Sequence, residues 1–296
     1  MQDLLSDALI RDTARFGLNG ARTLEYLGLV FHKGALKSTR VYHDTKQAAA
    51  ASGDWTQTLY ETWLRGLGED FGGNICDFSK AGTEEAPTYR MIVRFPKPLT
   101  SEQVQALSQE SLPGVPSEIA QRLCRSNSLL ADAIGGNNAP LIQVGIELDA
   151  QMQFQCLKYY LTVKPLLPAW DQAAEKLVPF FGEFGLDADQ SEAFDVSGKI
   201  CGQRYSPTFL GVNDDGAAPE LKLYFISDLF GRQLSTMPGE QIRNICDVLD
   251  IAPDLRDELL RAWEQSHVYP EGIAATFGDP ALIRMYLKEL SAAYFK

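Results

Sequence analysis

Residues 221–224 read Leu221-Lys222-Leu223-Tyr224, and the same order of cation, apolar residue and tyrosine returns along the chain. It appears as Arg40-Val41-Tyr42, Lys158-Tyr159-Tyr160 and Arg284-Met285-Tyr286, with a degenerate copy at Arg90-Met91-Ile92. On a β-strand, residues i and i+2 share a face. Each cation and its tyrosine therefore point one way, and the residue between them points the other. An isolated copy reads as a solvated strand face. Five copies, each in the second half of a strand-turn-strand pattern, read as one shared lining.

Working outward, five segments have the look of hairpins. They run over 22–44 with a turn at His32-Lys33-Gly34, 73–95 with a turn over 81–85, and 141–164 with a turn at Asp149-Ala150. Two more run over 203–228, turning at Asp214-Asp215-Gly216, and about 268–287, turning at Gly278-Asp279-Pro280. Helical periodicity fills the intervals 45–66, 101–134, 169–185 and 239–266, with Thr100 or Ser101 as a cap. The expectation is a single α+β domain over 1–296. Its ten antiparallel strands would form a closed barrel of five αββα repeats ringed by helices, since closure removes exposed edges. The apolar strand face would pack on the helices, and the Lys/Arg/Tyr face would line the interior.

Composition restricts what such a lining can serve. A formal charge of −12 argues against nucleic acid, which needs a broad basic surface. No apolar run approaches the roughly 18–20 residues of a membrane helix, and 1–20 lacks a signal-peptide pattern, so a cytoplasmic monomer is expected. Five scattered cysteines without a C-x-x-C pair, and only three histidines, offer no zinc or redox motif. Asp214-Asp215 precedes Gly216 in a turn, where acidic residues are common in any case, so no metal ligands are assigned.

Clustered cations beside aromatic rings suit the departure of an anionic leaving group from a carbon that becomes cationic. Arg40, Lys158, Lys222 and Arg284 would hold a diphosphate, the kind of preorganised electrostatics that usually dominates catalysis. Tyr42, Tyr160, Tyr224 and Tyr286 would shield an allylic cation, at roughly 0.5–2 kcal/mol per contact.

These residues resemble the ABBA prenyltransferases, especially the cyanobactin peptide prenyltransferase branch. The resemblance is carried by Leu24-Glu25 followed by Ser38-Thr39-Arg40, by Val144-Gly145-Ile146-Glu147-Leu148 leading to Lys158-Tyr159-Tyr160, and by Leu282-Ile283-Arg284-Met285-Tyr286. It implies a prenyl diphosphate donor (dimethylallyl or geranyl), help from Mg²⁺, and a first-strand glutamate that takes the acceptor's proton. Glu25 matches that glutamate by place and is the first candidate for the base; the other readings of it are an exposed strand carboxylate or a partner of Arg22 or Arg40. Glu147 is the competing base. Arg90 is a weaker site candidate because Ile92 breaks the tyrosine series. Arg204 and Tyr205 could be interior or rim, and Thr208 could border the donor chain. A tyrosine or tryptophan of a peptide is the first expectation for acceptor, and a free indole or phenol the second. A non-catalytic barrel binding an anionic or peptide ligand, and an unrelated α+β protein with solvent-facing cations, are the other readings.

Overall fold

The computed structural model describes residues 24–43, 67, 71–82, 87–110, 112, 114–135, 140–166, 172–186, 197–227, 238–266, 268–277 and 282–289. The side chains of 24–27, 38–43, 74–82, 87, 110, 174, 238, 266 and 288–289 lie outside the description. The expected helix over 45–66 falls wholly outside it too.

All five hairpins form: β1 (Leu24–His32) with β2 (Ala35–His43), β3 (Asn74–Gly82) with β4 (Pro87–Arg94), and β5 (Leu141–Leu148) with β6 (Phe154–Thr162). The series ends with β7 (Tyr205–Asp214) and β8 (Glu220–Ser227), then β9 (Val268–Thr276) and β10 (Leu282–Glu289). Turn chemistry explains the joints. Lys33 and Gly34 take φ of 48° and 72°, a two-residue loop with both central residues left-handed, which matches strand twist. Gly34 is further required because a Cβ there would meet the Asp250 carbonyl oxygen. Asp149 closes the β5–β6 turn by accepting from the amides of Gln151 (2.9 Å) and Gln153 (2.8 Å).

The expected helix over 101–134 is two helices, α1 (Ser101–Glu110) and α2 (Ser117–Ala133). Pro113 and Pro116 between them lack the amide that a continuing helix needs. Thr100 caps α1 reciprocally: Gln103 N donates to Thr100 Oγ1 (3.2 Å) and Thr100 N to Gln103 Oε1 (2.9 Å). α3 (Ala173–Gly182) follows β6. The expected helix over 239–266 also divides, into α4 (Pro238–Val248) and α5 (Pro253–Ser266). The left-handed Asp250 (φ 52°) and the bond from Ile251 N to Cys246 O (2.9 Å) terminate α4, and Pro253 starts the next helix.

The strands hydrogen-bond in the order β2-β1-β10-β9-β8-β7-β6-β5-β4-β3, every neighbour antiparallel. The expectation of a closed ten-stranded barrel is corrected here. The sheet is open, with β2 and β3 as its ends; they approach one another, yet no ladder joins them among the described residues. Strand pattern sets which faces match, but closure needs a consistent tilt and stagger that no single hairpin encodes. The two end strands also carry charge along their length, Lys37 and Arg40 on β2 and Asp77 and Lys80 on β3, as edges that resist further pairing do. The coarser α+β class stands.

One face of the sheet packs on helices. Leu157, Tyr159, Leu161, Leu210, Val212, Leu221, Leu223, Phe225, Ile273 and Met285 are buried there. α2 meets them through a stripe of Ile119, Leu123, Ser126, Asn127 and Leu130, spaced as helical neighbours. Asn127 Oδ1 accepts from Leu141 N at 3.2 Å, and Ser126 Oγ lies 3.3 Å from Tyr159 OH. α2 is also pinned to the β7–β8 turn by Arg122, whose Nη1 donates to Asp214 Oδ1 at 2.7 Å. Among the described residues, no helix is long and apolar enough to cross a membrane.

Candidate functional site

The other face carries the cations. Lys158 and Lys222 are buried, at 6% and 2% exposure, which rules out solvent-facing lysines at these two positions. A buried ammonium needs partners. Lys158 Nζ lies 3.0 Å from Glu147 Oε2 and donates to Asn213 Oδ1 at 3.2 Å. Asn213 Nδ2 in turn donates to Glu220 Oε2 (2.6 Å), which also receives the Lys222 Nζ proton. Arg284 Nη2 stands 3.7 Å from Glu220 Oε1. Three cations from β6, β8 and β10 thus share two carboxylates and one amide.

Thr276 completes the group. It faces Lys222 directly in the β8–β9 register, is 5% exposed, and its Oγ1 has no hydrogen-bond partner among the described residues. Directly opposed residues place their side chains on the same face.

Electrostatics follow from this crowding. Burial pulls the Lys222 ammonium down to about 7, with the Arg284 and Lys158 charges adding to the effect and Glu220 opposing it. For Glu220, burial works against ionisation, but the charge and hydrogen bond of Lys222, with Arg284 and Asn213, hold the carboxyl below its ordinary value. Cys156, two residues before Lys158 on the same strand face, is no thiolate nucleophile, since burial pushes its thiol up to about 11.

Beside the cations runs a row of rings. Tyr160 and Tyr224 have centroids 5.6 Å apart, Tyr224 and Tyr286 stack at 6.1 Å, and Phe209 joins at 5.7 Å from Tyr224. All three tyrosines are half-buried, so the rings keep an open side.

Register explains how cations and rings interleave. Tyr160, Gly211 and Lys222 occupy one ladder row across β6, β7 and β8, and Tyr224, Ala274 and Arg284 the next across β8, β9 and β10. Ile92, Gly145 and Lys158 form the corresponding row across β4, β5 and β6. By backbone, Tyr286, Gly28 and Arg40 form another. Each hairpin is thereby displaced two residues along the strand from its neighbour, which brings its cation level with the preceding aromatic. The intervening residue must be small. A Cβ on Gly211 would lie 2.6 Å from Tyr224 Cε2 and 3.1 Å from the Tyr160 ring.

The sequence candidates therefore separate. Lys158, Lys222, Arg284, Tyr160, Tyr224 and Tyr286 come together on one face. Arg40 and Tyr42 of β2, and Glu25 at the register shift between Leu24 and Tyr26 of β1, have side chains outside the described residues. Glu147 joins the site through Lys158. Arg90 is buried opposite Glu147 in the β4–β5 register, at the far end of the series. Ile92, 3% exposed, fills the slot that tyrosine takes elsewhere.

Tyr205 is neither lining nor rim. It is a core residue, 1% exposed, donating its hydroxyl to Pro270 O at 2.7 Å, because strand alternation ahead of the Pro207/Phe209 bulge turns it under the helices. Arg204 is an exposed turn residue with φ of 65°. Thr208 sits at the same bulge and spends its hydroxyl on Ser206 O (3.0 Å).

Glu220, Asn213 and Thr276 went unread in the sequence. Glu220 had a signal: it stands two residues before Lys222 and so shares its face. The small residues Gly28, Gly145, Gly211 and Ala274 had one too, since each lies in the first strand of a hairpin.

Among the described residues, no three His, Cys, Asp or Glu side chains group as metal ligands. The two carboxylates on the face are engaged by lysines, so the described residues form no cradle for Mg²⁺ by themselves. A cleft lined by Leu129, Asp132, Lys176 and Pro179 lies between α2 and α3, and it contains none of these cations or rings. The chain matches no protein-family model and no curated protein.

Proposed function

We propose that the chain transfers a prenyl group, dimethylallyl or geranyl, from its diphosphate to an electron-rich acceptor. The observation that carries this reading is the pairing, on one sheet face, of the Lys158/Lys222/Arg284 group with the Tyr160/Tyr224/Tyr286 row. The reading rests on that face and not on a closed barrel; the motif resemblance to ABBA prenyltransferases is carried in part by the same residues and points the same way.

The diphosphate binds the cations and the Thr276 hydroxyl. Charge-assisted hydrogen bonds contribute about 1.5–3 kcal/mol each, and they strengthen as the bridging oxygen takes the electron pair of the breaking carbon–oxygen bond. The allylic cation left behind is stabilised by the electron-rich ring faces beside it. The acceptor attacks that carbon, and its displaced proton passes to a carboxylate. Of the two carboxylates on the described face we assign this role to Glu147, Glu220 being held by Lys222 and Arg284; Glu25 remains the candidate from β1. Mg²⁺ would arrive with the diphosphate, held chiefly by phosphate oxygens. The acceptor we expect is a tyrosine or tryptophan of a peptide, with a free indole or phenol as the second choice.

Mass spectrometry of reactions pairing five-, ten- and fifteen-carbon prenyl diphosphates with linear peptides, cyclic peptides and free indoles tests the proposal. A mass gain of one prenyl group, lost in Lys158→Met, supports it. No gain with any pair sinks it.

A further inference from the structure

Glu220 occupies an unusual place for a carboxylate in an anion site. One oxygen takes the Lys222 proton and the Asn213 amide, and the other faces Arg284 at 3.7 Å. It is therefore centred where an incoming anion would gain most. Lys222 keeps 2% of its surface while Glu220 keeps 32%, so the carboxylate covers the lysine and has an open side into which it can withdraw. Asn213 links the same carboxylate to Lys158, which Glu147 also holds, so displacing Glu220 frees Lys222 and Arg284 and loosens the network around Lys158.

We propose that Glu220 is a specificity-determining residue that acts as the site's resident anion, so that only a polyanion able to engage Lys222, Arg284 and Lys158 at once displaces it. This deepens the proposed diphosphate site and rests on it. A monoanion offers the cations no more charge than Glu220 already does. It also leaves the displaced carboxylate nearby as a repelling neighbour, so exchange gains nothing. A diphosphate brings several charges and enough oxygens to satisfy the three cations and the Thr276 hydroxyl simultaneously. The group selected is then the terminal diphosphate itself, whatever organic chain it carries, and singly charged anions such as carboxylates are turned away.

The test is calorimetric titration of inorganic pyrophosphate and inorganic phosphate into the wild-type chain and Glu220→Gln. Removing Glu220 also removes a charge that helps Lys222 stay protonated, so both proteins are compared at about pH 6. Glu220→Gln should bind phosphate about tenfold more tightly than wild type, an effect expected from deleting one like charge at contact distance, with a smaller gain for pyrophosphate. The preference for pyrophosphate over phosphate then falls severalfold. Glu220→Asp, whose shorter side chain cannot reach both Lys222 and Arg284, should move the same way if Gln compromises folding. An unchanged preference, with both proteins binding pyrophosphate, overturns the role of Glu220 alone. No pyrophosphate binding by either protein overturns the diphosphate site as well.

Discussion

Replacing Lys222 by methionine should change how stability responds to pH. In the folded chain the Lys222 ammonium is pulled from its ordinary 10.5 down to about 7, burial being the chief cause. The unfolded chain holds that proton up to 10.5, so between the two values it binds more protons than the folded one. Stability therefore rises with pH through this window, and the full cost of the buried charge is present below about pH 7. From the two titration points, the gain between about pH 7 and pH 9 is about 2 kcal/mol. Methionine matches the length of the lysine stem without a charge, and Arg284 remains as a partner for Glu220. Urea unfolding of both proteins at several pH values isolates the effect, because other groups titrating in the window contribute equally to each. Wild type should climb relative to Lys222→Met by about 2 kcal/mol over those two pH units. Parallel profiles would refute the argument that Lys222 is buried as a strained cation. Pyrophosphate, by supplying the missing counter-charge, should protect wild type most at low pH and protect Lys222→Met least.

Two further substitutions probe the frame around the site. Arg122→Ala leaves Asp214, with a fully buried side chain, without its cation; about 3–5 kcal/mol of stability should be lost in chemical denaturation, partly recovered on acidification as the carboxyl takes a proton. Gly211→Ala drives a methyl group into Tyr160 and Tyr224, so about 1–3 kcal/mol should be lost and tyrosine near-ultraviolet dichroism should change, whereas Gly202→Ala, with nothing closer than 3.4 Å, should leave the dichroism as it was.

The correspondence between sequence and structure follows the range of the interactions involved. Lys33-Gly34, Asp149 and Gly216 mark turns because left-handed backbone and side-chain-to-amide bonds are decided within a few residues, so all five hairpins were readable. Lys158/Tyr160, Lys222/Tyr224 and Arg284/Tyr286 were readable as same-face pairs because the strand repeat is two residues. Helix breaks were read less well: 101–134 and 239–266 keep helical periodicity throughout, and that periodicity outweighed the prolines at 113, 116 and 253 that mark the interruptions. Tyr205 failed as a site candidate because a bulge two residues later changes which face each residue meets, and bulges depend on the partner strand.

The amino-acid sequence by itself determined the strands, their turns and the chemical character of each strand face, since these are set by periodicity and by residues adjacent in the chain. Tertiary structure alone decided which hairpin lies beside which and with what displacement. That displacement puts Gly211 between Tyr160 and Lys222, Thr276 opposite Lys222, and Arg284 within reach of the Glu220 that already neighbours Lys222 on its own strand. It also decided that β2 and β3 end an open sheet. Register between strands is fixed by contacts made across long loops, and a period of two within one strand carries no information about its neighbour's offset.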